Sequence, residues 1–209
     1  MFIDRRQAGK LLSEKLKDLK NKKNTIVFGI TRGGVVVADE IAGKLNLPLE
    51  EIVIKKVGAP LNPELAIGAV GPLGVIYWDK TLLKNLSVTY DYKTEAADVK
   101  NQEREELEEY LTGRKKRSKI TDKKIILVDD GVATGATVLC ALKYFRKKKA
   151  RKVILATPII AEEVVKYIDK YFDSIAAIKI ANDLNAIGQF YQDFSQVENK
   201  EVRAIIERQ

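Results

Sequence analysis

The chain has 209 residues and a formal net charge of +8, with 37 Lys and Arg, 29 Asp and Glu, no His and one Cys. This length suits one globular domain, residues 1–209, with a core that needs no cross-links. The lack of His excludes His-based catalysis and His-ligated metals, and a single Cys excludes a disulfide framework. The chemistry must therefore use carboxylates, Lys, Arg, hydroxyl or backbone groups, or a hard cation such as Mg²⁺.

The basic composition predicts anionic partners, such as phosphorylated metabolites, nucleic acid or a membrane surface. The alternative is a Lys-rich surface that is simply solvated. The opening MFIDRRQAGKLL has no apolar segment typical of a signal peptide, and no apolar run approaches the roughly 20 residues of a membrane span. We expect a cytoplasmic protein without a membrane partner.

The first half of the chain alternates helical and strand patterns. In order, it predicts a helix at Asp4–Lys20, a strand at Thr25–Ile30, a helix at Val35–Leu45 and a strand at Glu51–Val57. Two short β-like runs, ELAIGAV and GVIYW, then lie on either side of Gly71-Pro72 and predict a hairpin within a long excursion. The acidic segment Thr94–Leu111 predicts a helix, which we interpret as a packing or dimer element.

The second half continues the same alternation after a basic segment at Arg114–Lys124, which we interpret as solvated. The predicted elements are a strand at Lys124–Asp130, a loop at Gly131–Gly135, a helix at Ala136–Lys148, a strand at Lys152–Pro158, a helix at Ala161–Tyr171, a strand at Ser174–Ile180 and a charged helix that ends the chain. Continuous apolar strands, each followed by a helix, predict an α/β fold with a parallel sheet covered on both faces.

The most informative segment is IILVDDGVATGAT at residues 125–137. Two carboxylates, Asp129 and Asp130, end a buried strand at the sheet edge where α/β proteins bind ligands. The small-residue loop that follows offers backbone N–H groups and hydroxyls at a helix N-terminus, which suits a phosphate. A carboxylate pair beside a phosphate cradle suits a sugar phosphate. A P-loop would need Lys where Ala136 stands, and the carboxylates interrupt a dinucleotide fingerprint. The remaining alternative is a strand end capped by two solvated Asp residues.

This segment resembles the phosphoribosyl-pyrophosphate (PRPP) motif of the type I phosphoribosyltransferases. The chain opening DRRxAG and the closing GQ-aromatic-Tyr-x-Asp-Phe extend the resemblance, within a subgroup of undefined substrate, to nearly the whole chain. It implies that Asp129 and Asp130 hold the ribose hydroxyls and take part in catalysis. It also implies a PRPP-binding loop of Gly131, Val132, Ala133, Thr134, Gly135, Ala136 and Thr137. For the fold, it implies a Rossmann-like sheet with a flexible covering excursion at 57–111 and a small C-terminal hood at 181–209.

A second segment, GITRGG, follows the first predicted strand. The resemblance makes it the pyrophosphate loop, often with a cis non-proline peptide in this family, and assigns to the diphosphate Thr31, Arg32, Gly33 and Gly34. Arg32 would stabilise the departing diphosphate. Lys55 and Lys56, at the end of the second predicted strand, could reach it, and we include Lys56 in this site. The alternatives are a plain strand–helix turn and solvated lysines.

A third segment, FYQDF at residues 190–194, resembles the hood of 6-oxopurine phosphoribosyltransferases, with Gln192 where those enzymes carry Arg. The resemblance implies that Phe190, Tyr191 and Asp193 form the base-binding hood. It also places Mg²⁺ near Asp130 and Asp193, held largely by oxygens of the substrate. The alternative is aromatic packing of the C-terminus on the core.

The resemblance implies Mg²⁺-dependent transfer of the phosphoribosyl group of PRPP to a nitrogenous base, in a homodimer without a nucleic-acid partner. Ala133 stands where 6-oxopurine enzymes carry a proton-handling Asp, so this loop is similar to adenine- and uracil-type loops. The base is therefore left open. A rival interpretation is a non-catalytic regulator on the same fold that senses PRPP or a nucleotide and binds RNA. Cys140 lies in an apolar helix and is expected in the core.

Overall fold

The computed structural model describes residues 1–113, 118–184 and 186–209. Its main sheet has five parallel strands, β1 (Thr25–Ile30), β2 (Leu49–Ile52), β6 (Lys124–Val128), β7 (Lys152–Ala161) and β8 (Ser174–Ala181). Their order across the sheet is β2-β1-β6-β7-β8. Residues 114–117 of the predicted basic segment lie outside the described residues. The parallel sheet confirms the predicted fold class.

Helices cover both faces of this sheet. One face packs against α1 (Arg5–Lys15), α2 (Gly33–Leu45) and α7 (Asn199–Glu207). The other face packs against α5 (Ala136–Lys147) and α6 (Glu162–Ile168). The strands are buried on both sides, as their continuous apolar sequences predict. Cys140 is fully buried in α5, which confirms its predicted place in the core.

The long excursion folds into a second, antiparallel sheet of three strands. The strands are β3 (Lys55–Ala59), β4 (Asn62–Gly71) and β5 (Val75–Trp78), and they are followed by α3 (Lys80–Asn85) and the 23-residue α4 (Tyr90–Thr112). The predicted hairpin is confirmed as β4 and β5, with Val70 opposite Ile76. Val57, Ile67 and Ala97 belong to a small separate core beneath this sheet.

The predicted strand Glu51–Val57 is wrong as a single element. The chain leaves the main sheet after Ile52, and Lys55 begins β3 in the second sheet. Val53 and Ile54 form the corner between the sheets and are buried. Because both corner residues are apolar and β-branched, the sequence carries no break signal there. Lys55 and Lys56 therefore start a strand where the prediction had them end one.

Other element ends also differ from the predictions. Helix α1 ends at Lys15 and a separate 3-10 turn follows it, and α2 begins two residues early, at Gly33. Strand β7 continues through Pro158 to Ala161, which shortens the predicted helix after it. Pro158 is tolerated in β7 because the β6–β7 pairing has already ended, at Val128 opposite Ala156. No residue of β6 therefore needs a backbone N–H donor at position 158. Within the described chain, no helix has the length and apolar character needed to cross a membrane.

Candidate functional site

Three loops meet at the carboxyl end of the parallel sheet. One follows β1 and leads into α2, and another follows β6 and leads into α5. Since β1 and β6 are neighbours in the sheet, the two loops are adjacent in space. The corner between β2 and β3 lies beside them, where the Thr31 N–H donates to the Ile52 carbonyl at 3.1 Å. This edge is where open α/β sheets bind ligands.

Asp129 and Asp130 lie just beyond the end of β6. One Asp129 oxygen accepts the Asp130 backbone N–H at 3.0 Å, and the other accepts the Thr137 hydroxyl at 3.3 Å. Burial and the neighbouring charge of Asp130 raise the pKa of Asp129 to about 7, although the Lys56 ammonium acts in the opposite direction. The first carboxylate is therefore fixed in position and close to its protonation point near neutral pH.

The loop at 131–135 is anchored on one side and open on the other. Val132 pairs with β7, donating to the Ile159 carbonyl at 2.9 Å and accepting the Ala161 N–H at 3.0 Å. Gly135 caps α5 with a positive φ of 79°, a conformation that favours glycine. The backbone N–H groups of residues 133–135 have no acceptor in the described chain. Together with the start of α5, they form a cradle suited to a phosphate.

The loop after β1 makes close contact with this carboxylate pair. The Thr31–Arg32 peptide is cis, as the resemblance implied. A Cβ added to Gly33 would lie 1.9 Å from Asp130 Oδ2, and one added to Gly34 would lie 2.6 Å from the Val128 carbonyl oxygen. A side chain at Gly34 would therefore separate the two loops, and a side chain at Gly33 would displace the Asp130 carboxylate.

Arg32 faces a cleft of about 570 Å³ between this loop, α4 and α7. Its guanidinium lies 3.5 Å from the Asn199 side-chain oxygen, a long contact that leaves donors available. Lys55 lines the same cleft, and its ammonium lies 3.7 Å from the Glu103 carboxylate. Against the raising effect of burial, the positive charge of Lys56 lowers the pKa of Asp129. Of the residues predicted to bind the diphosphate, Arg32 therefore faces the cleft, and Lys56 lies on the side of Asp129.

The hood segment contacts the carboxylate pair through the Tyr191 hydroxyl and not through the face of an aromatic ring. The Tyr191 hydroxyl donates to the Asp130 carbonyl at 2.7 Å, and its ring is 5% exposed between Phe2 and Phe194. Tyr191 is one of the three residues predicted to form the base-binding hood, and its ring is covered by both neighbours, so it has no free face for a base. Phe190 is half-buried near Lys179, and Asp193 is exposed and accepts the Ser195 N–H.

Arg5 is a site residue that the sequence predictions missed. Its Nε donates to Asp130 Oδ2 at 2.7 Å, its Nη1 donates to the Ser195 carbonyl at 2.8 Å, and its guanidinium lies 3.8 Å from the Phe194 ring centre. It thus joins the N-terminal helix and the C-terminal segment to the carboxylate pair. The sequence DRRxAG, which contains Arg5, was part of the family resemblance, but it indicated no role for this residue.

The protein side chains alone do not make a closed metal site. Among the described residues, no group of three His, Cys, Asp or Glu side chains could hold an ion. Asp130 already shares its charge with Arg5. Carboxylate oxygens of this kind fit Mg²⁺ only when a ligand's phosphate oxygens complete the coordination.

Comparisons with known proteins agree with this geometry. The family model of the phosphoribosyl transferase domain matches residues 5–193. Rv0571c of Mycobacterium tuberculosis, whose name as a phosphoribosyl transferase is provisional, is 35% identical over the whole chain. The chain spans about half the length of the curated relatives it matches, 47% in this case.

Solved structures show the same fold. The crystal structure of TT1426 from Thermus thermophilus has a TM-score of 0.81 at 35% identity, covering 99% of this chain and 98% of that one. The AQ2163 protein of Aquifex aeolicus has a TM-score of 0.56 at 18% identity, covering 88% of this chain and 78% of that one. From the family match, with the loops and the carboxylate pair in place, the chain belongs to the phosphoribosyl transferase domain family.

Proposed function

We propose that the protein transfers the 5-phosphoribosyl group of PRPP to a nitrogenous base and releases pyrophosphate. The observation that carries this proposal is the Asp129–Asp130 pair held between two loops, one with free N–H groups and one with Arg32. Family membership supports a transferase that uses PRPP. The carboxylates accept hydrogen bonds from the ribose hydroxyls, and residues 133–137 hold the 5′-phosphate.

The reaction breaks the bond between C1 of the ribose and the diphosphate oxygen, and the electron pair leaves with the diphosphate. A ring nitrogen of the base forms the new bond to C1 and loses its proton. Arg32 and Lys56 stabilise the negative charge that develops on the diphosphate. Mg²⁺, when bound, supplies further charge stabilisation, and Asp130 and Asp193 are the residues proposed to hold it beside the substrate oxygens.

This proposal does not specify which base accepts the phosphoribosyl group. Ala133 is half-buried in the phosphate loop and carries no ionisable group, so the loop itself cannot handle the ring-nitrogen proton of a 6-oxopurine. The buried ring of Tyr191 also weakens the similarity to a 6-oxopurine hood. Phe190, which is less buried, is the hood aromatic left to contact a base.

The direct test is a pyrophosphate-release assay with PRPP, Mg²⁺ and a panel of purine and pyrimidine bases. We expect release with at least one base, in equal amount to the nucleoside monophosphate formed. Tight PRPP binding without release for any base, accompanied by salt-dependent RNA binding, would contradict transfer and favour the regulator. The Arg32→Ala variant should lose turnover while keeping affinity for a nucleoside monophosphate, which lacks the diphosphate.

A further inference from the structure

A second cavity lies outside the loops described above, between β5, α5 and α6. Its volume is about 570 Å³, within the range of small-molecule sites. Tyrosine rings from two parts of the chain form its walls, Tyr77 on one side and Tyr167 and Tyr171 on the other, and Trp78 is among the lining residues. We call this cavity the aromatic groove. None of its residues belongs to the site predicted from the sequence.

Two tyrosines of the aromatic groove are open to solvent, and Tyr77 is half-buried. Tyr167 is 46% exposed and Tyr171 is 42% exposed, and their ring centres are 5.9 Å apart at an edge-on angle. The Tyr77 hydroxyl lies 3.4 Å from the Tyr167 hydroxyl across the groove. Single exposed aromatics are common, but a concave cluster of three tyrosines indicates a binding site.

Cations surround these rings. The Lys143 ammonium lies 5.7 Å from the Tyr77 ring centre, and Lys80 also lines the groove. Lys170 lies 5.6 Å and 5.1 Å from the ring centres of Tyr167 and Tyr171. The one carboxylate among the lining residues is Asp79, which already accepts two backbone N–H groups at the start of α3. The rim is therefore positive.

We propose that the aromatic groove binds a free nucleotide at a site separate from the PRPP loop. The base stacks against the tyrosine rings, since every nucleobase offers a π-face. The phosphate lies at Lys143 and Lys80, because lysine binds phosphate as a point charge. A concave, half-open groove of this volume fits one mononucleotide better than a flat partner surface. This proposal does not depend on the proposed transferase activity.

Helix α5 connects this groove with the site at the sheet edge. Its first residues, Ala136 and Thr137, belong to the phosphate loop, and Leu139, Leu142 and Lys143 line the groove. At 1.5 Å per residue, Lys143 lies about 10 Å along the helix from Ala136. A test must therefore separate binding at the groove from binding at the phosphate loop.

The chain itself provides a probe, because Trp78 is its single tryptophan. We expect adenosine monophosphate and uridine monophosphate to quench Trp78 fluorescence saturably, and the Asp129→Asn/Asp130→Asn variant to keep this response. Tyr167→Ala should weaken binding at least about fivefold, and Lys143→Gln should weaken it as well. Tyr90→Ala is the matched control, since Tyr90 is 75% exposed on α4 and outside the groove.

Several results would overturn the proposal. These are no saturable quenching, equal losses in Tyr167→Ala and Tyr90→Ala, or equal binding of ribose 5-phosphate, which has no base to stack. A six-residue adenine oligonucleotide that binds far more tightly than the monophosphate, with steep salt dependence, would assign the groove to an RNA strand instead. Conversion of a dimer to a monomer by Tyr167→Ala, without nucleotide quenching, would make the groove an interface between copies of the chain.

Discussion

Arg5 shows how one residue fixes the geometry of the candidate site. Its contact with Asp130 joins residues 125 positions apart, and its side chain is 11% exposed. A partly buried arginine that donates a hydrogen bond to a carboxylate fixes the orientation of that carboxylate. We therefore regard Arg5 as a positioning residue for Asp130, the carboxylate proposed to bind the ribose.

We expect Arg5→Ala to reduce kcat/KM for PRPP about 10-fold to 100-fold, because a misplaced carboxylate no longer matches the ribose hydroxyls. The matched control is Arg6→Ala, since Arg6 pairs with Asp39 and Glu40 at the surface. Arg5→Lys should recover only part of the loss, because lysine lacks the planar fork. Equal kinetics for the Arg5→Ala and Arg6→Ala variants would show that the contact has no positioning role.

Asp129 gives a prediction about stability and pH. Because the folded state raises its pKa from 3.8 to about 7, the folded chain holds a proton that the unfolded chain has released between these values. The free energy of unfolding contributed by Asp129 therefore falls as pH rises through this interval. Asp129→Asn does not titrate, so its stability relative to the native protein should increase between about pH 4 and about pH 7. Urea unfolding at several pH values measures this, and a constant difference would contradict the raised pKa.

Ala133 gives a prediction about the choice of base. General acid–base help contributes about 10²–10⁴-fold to such reactions, so the native protein should turn over hypoxanthine and guanine poorly. Ala133→Asp places a carboxylate between Asp130 and Thr134 on an anchored loop. If the hood accepts a 6-oxopurine, this variant should gain guanine or hypoxanthine turnover with unchanged PRPP affinity. Efficient turnover of either base by the native protein would show that another group moves the proton.

At the scale of elements, the C-terminal segment supports the phosphate loop through one hydrogen bond. The Tyr191 hydroxyl donates to the Asp130 carbonyl inside an aromatic cluster that includes Phe2 and Phe194. We expect Tyr191→Phe to lower the free energy of unfolding by about 1–3 kcal/mol, because it leaves that carbonyl without its donor. Tyr90→Phe, at an exposed position, should change it by less than about 0.5 kcal/mol. Equal changes in the thermal unfolding midpoint for Tyr191→Phe and Tyr90→Phe would show that this hydrogen bond does not support the loop.

The elements also show what the sequence could and could not predict. Strands β1 and β6 were predictable because each is a short apolar run, followed by Thr31-Arg32-Gly33-Gly34 after β1 and by two aspartates after β6. The division of Glu51–Val57 between two sheets was not, since Val53 and Ile54 suit a strand as well as a buried corner. The sequence indicated Asp129 and Asp130 through their local spacing, whereas Arg5 reaches them only through tertiary packing. The buried orientation of the Tyr191 ring likewise depends on Phe2, at the other end of the chain.

At the scale of the whole molecule, residues near both ends of the chain contact Asp130 in its middle. Arg5 from α1 and Tyr191 from the C-terminal segment both contact Asp130, and Phe2 pairs with Tyr191 as an isolated bridge. The site therefore depends on the complete fold rather than on one motif. The net charge of +8 provides a general attraction for anionic ligands, which a test of the specific site must separate from specific binding.

The most direct measurement of the central claim is calorimetry of Mg²⁺-PRPP binding to the Asp129→Asn/Asp130→Asn variant. Replacing two carboxylates by amides removes negative charge and should strengthen general attraction for an anion, so a loss of affinity comes from lost specific contacts. We predict a loss of at least about 100-fold, from the hydrogen bonds that the two carboxylates accept, with the fold retained. The control, Asp91→Asn/Asp98→Asn on the exposed side of α4, also replaces two carboxylates by amides and should keep full affinity. Unchanged PRPP affinity in the Asp129→Asn/Asp130→Asn variant would contradict the proposed site.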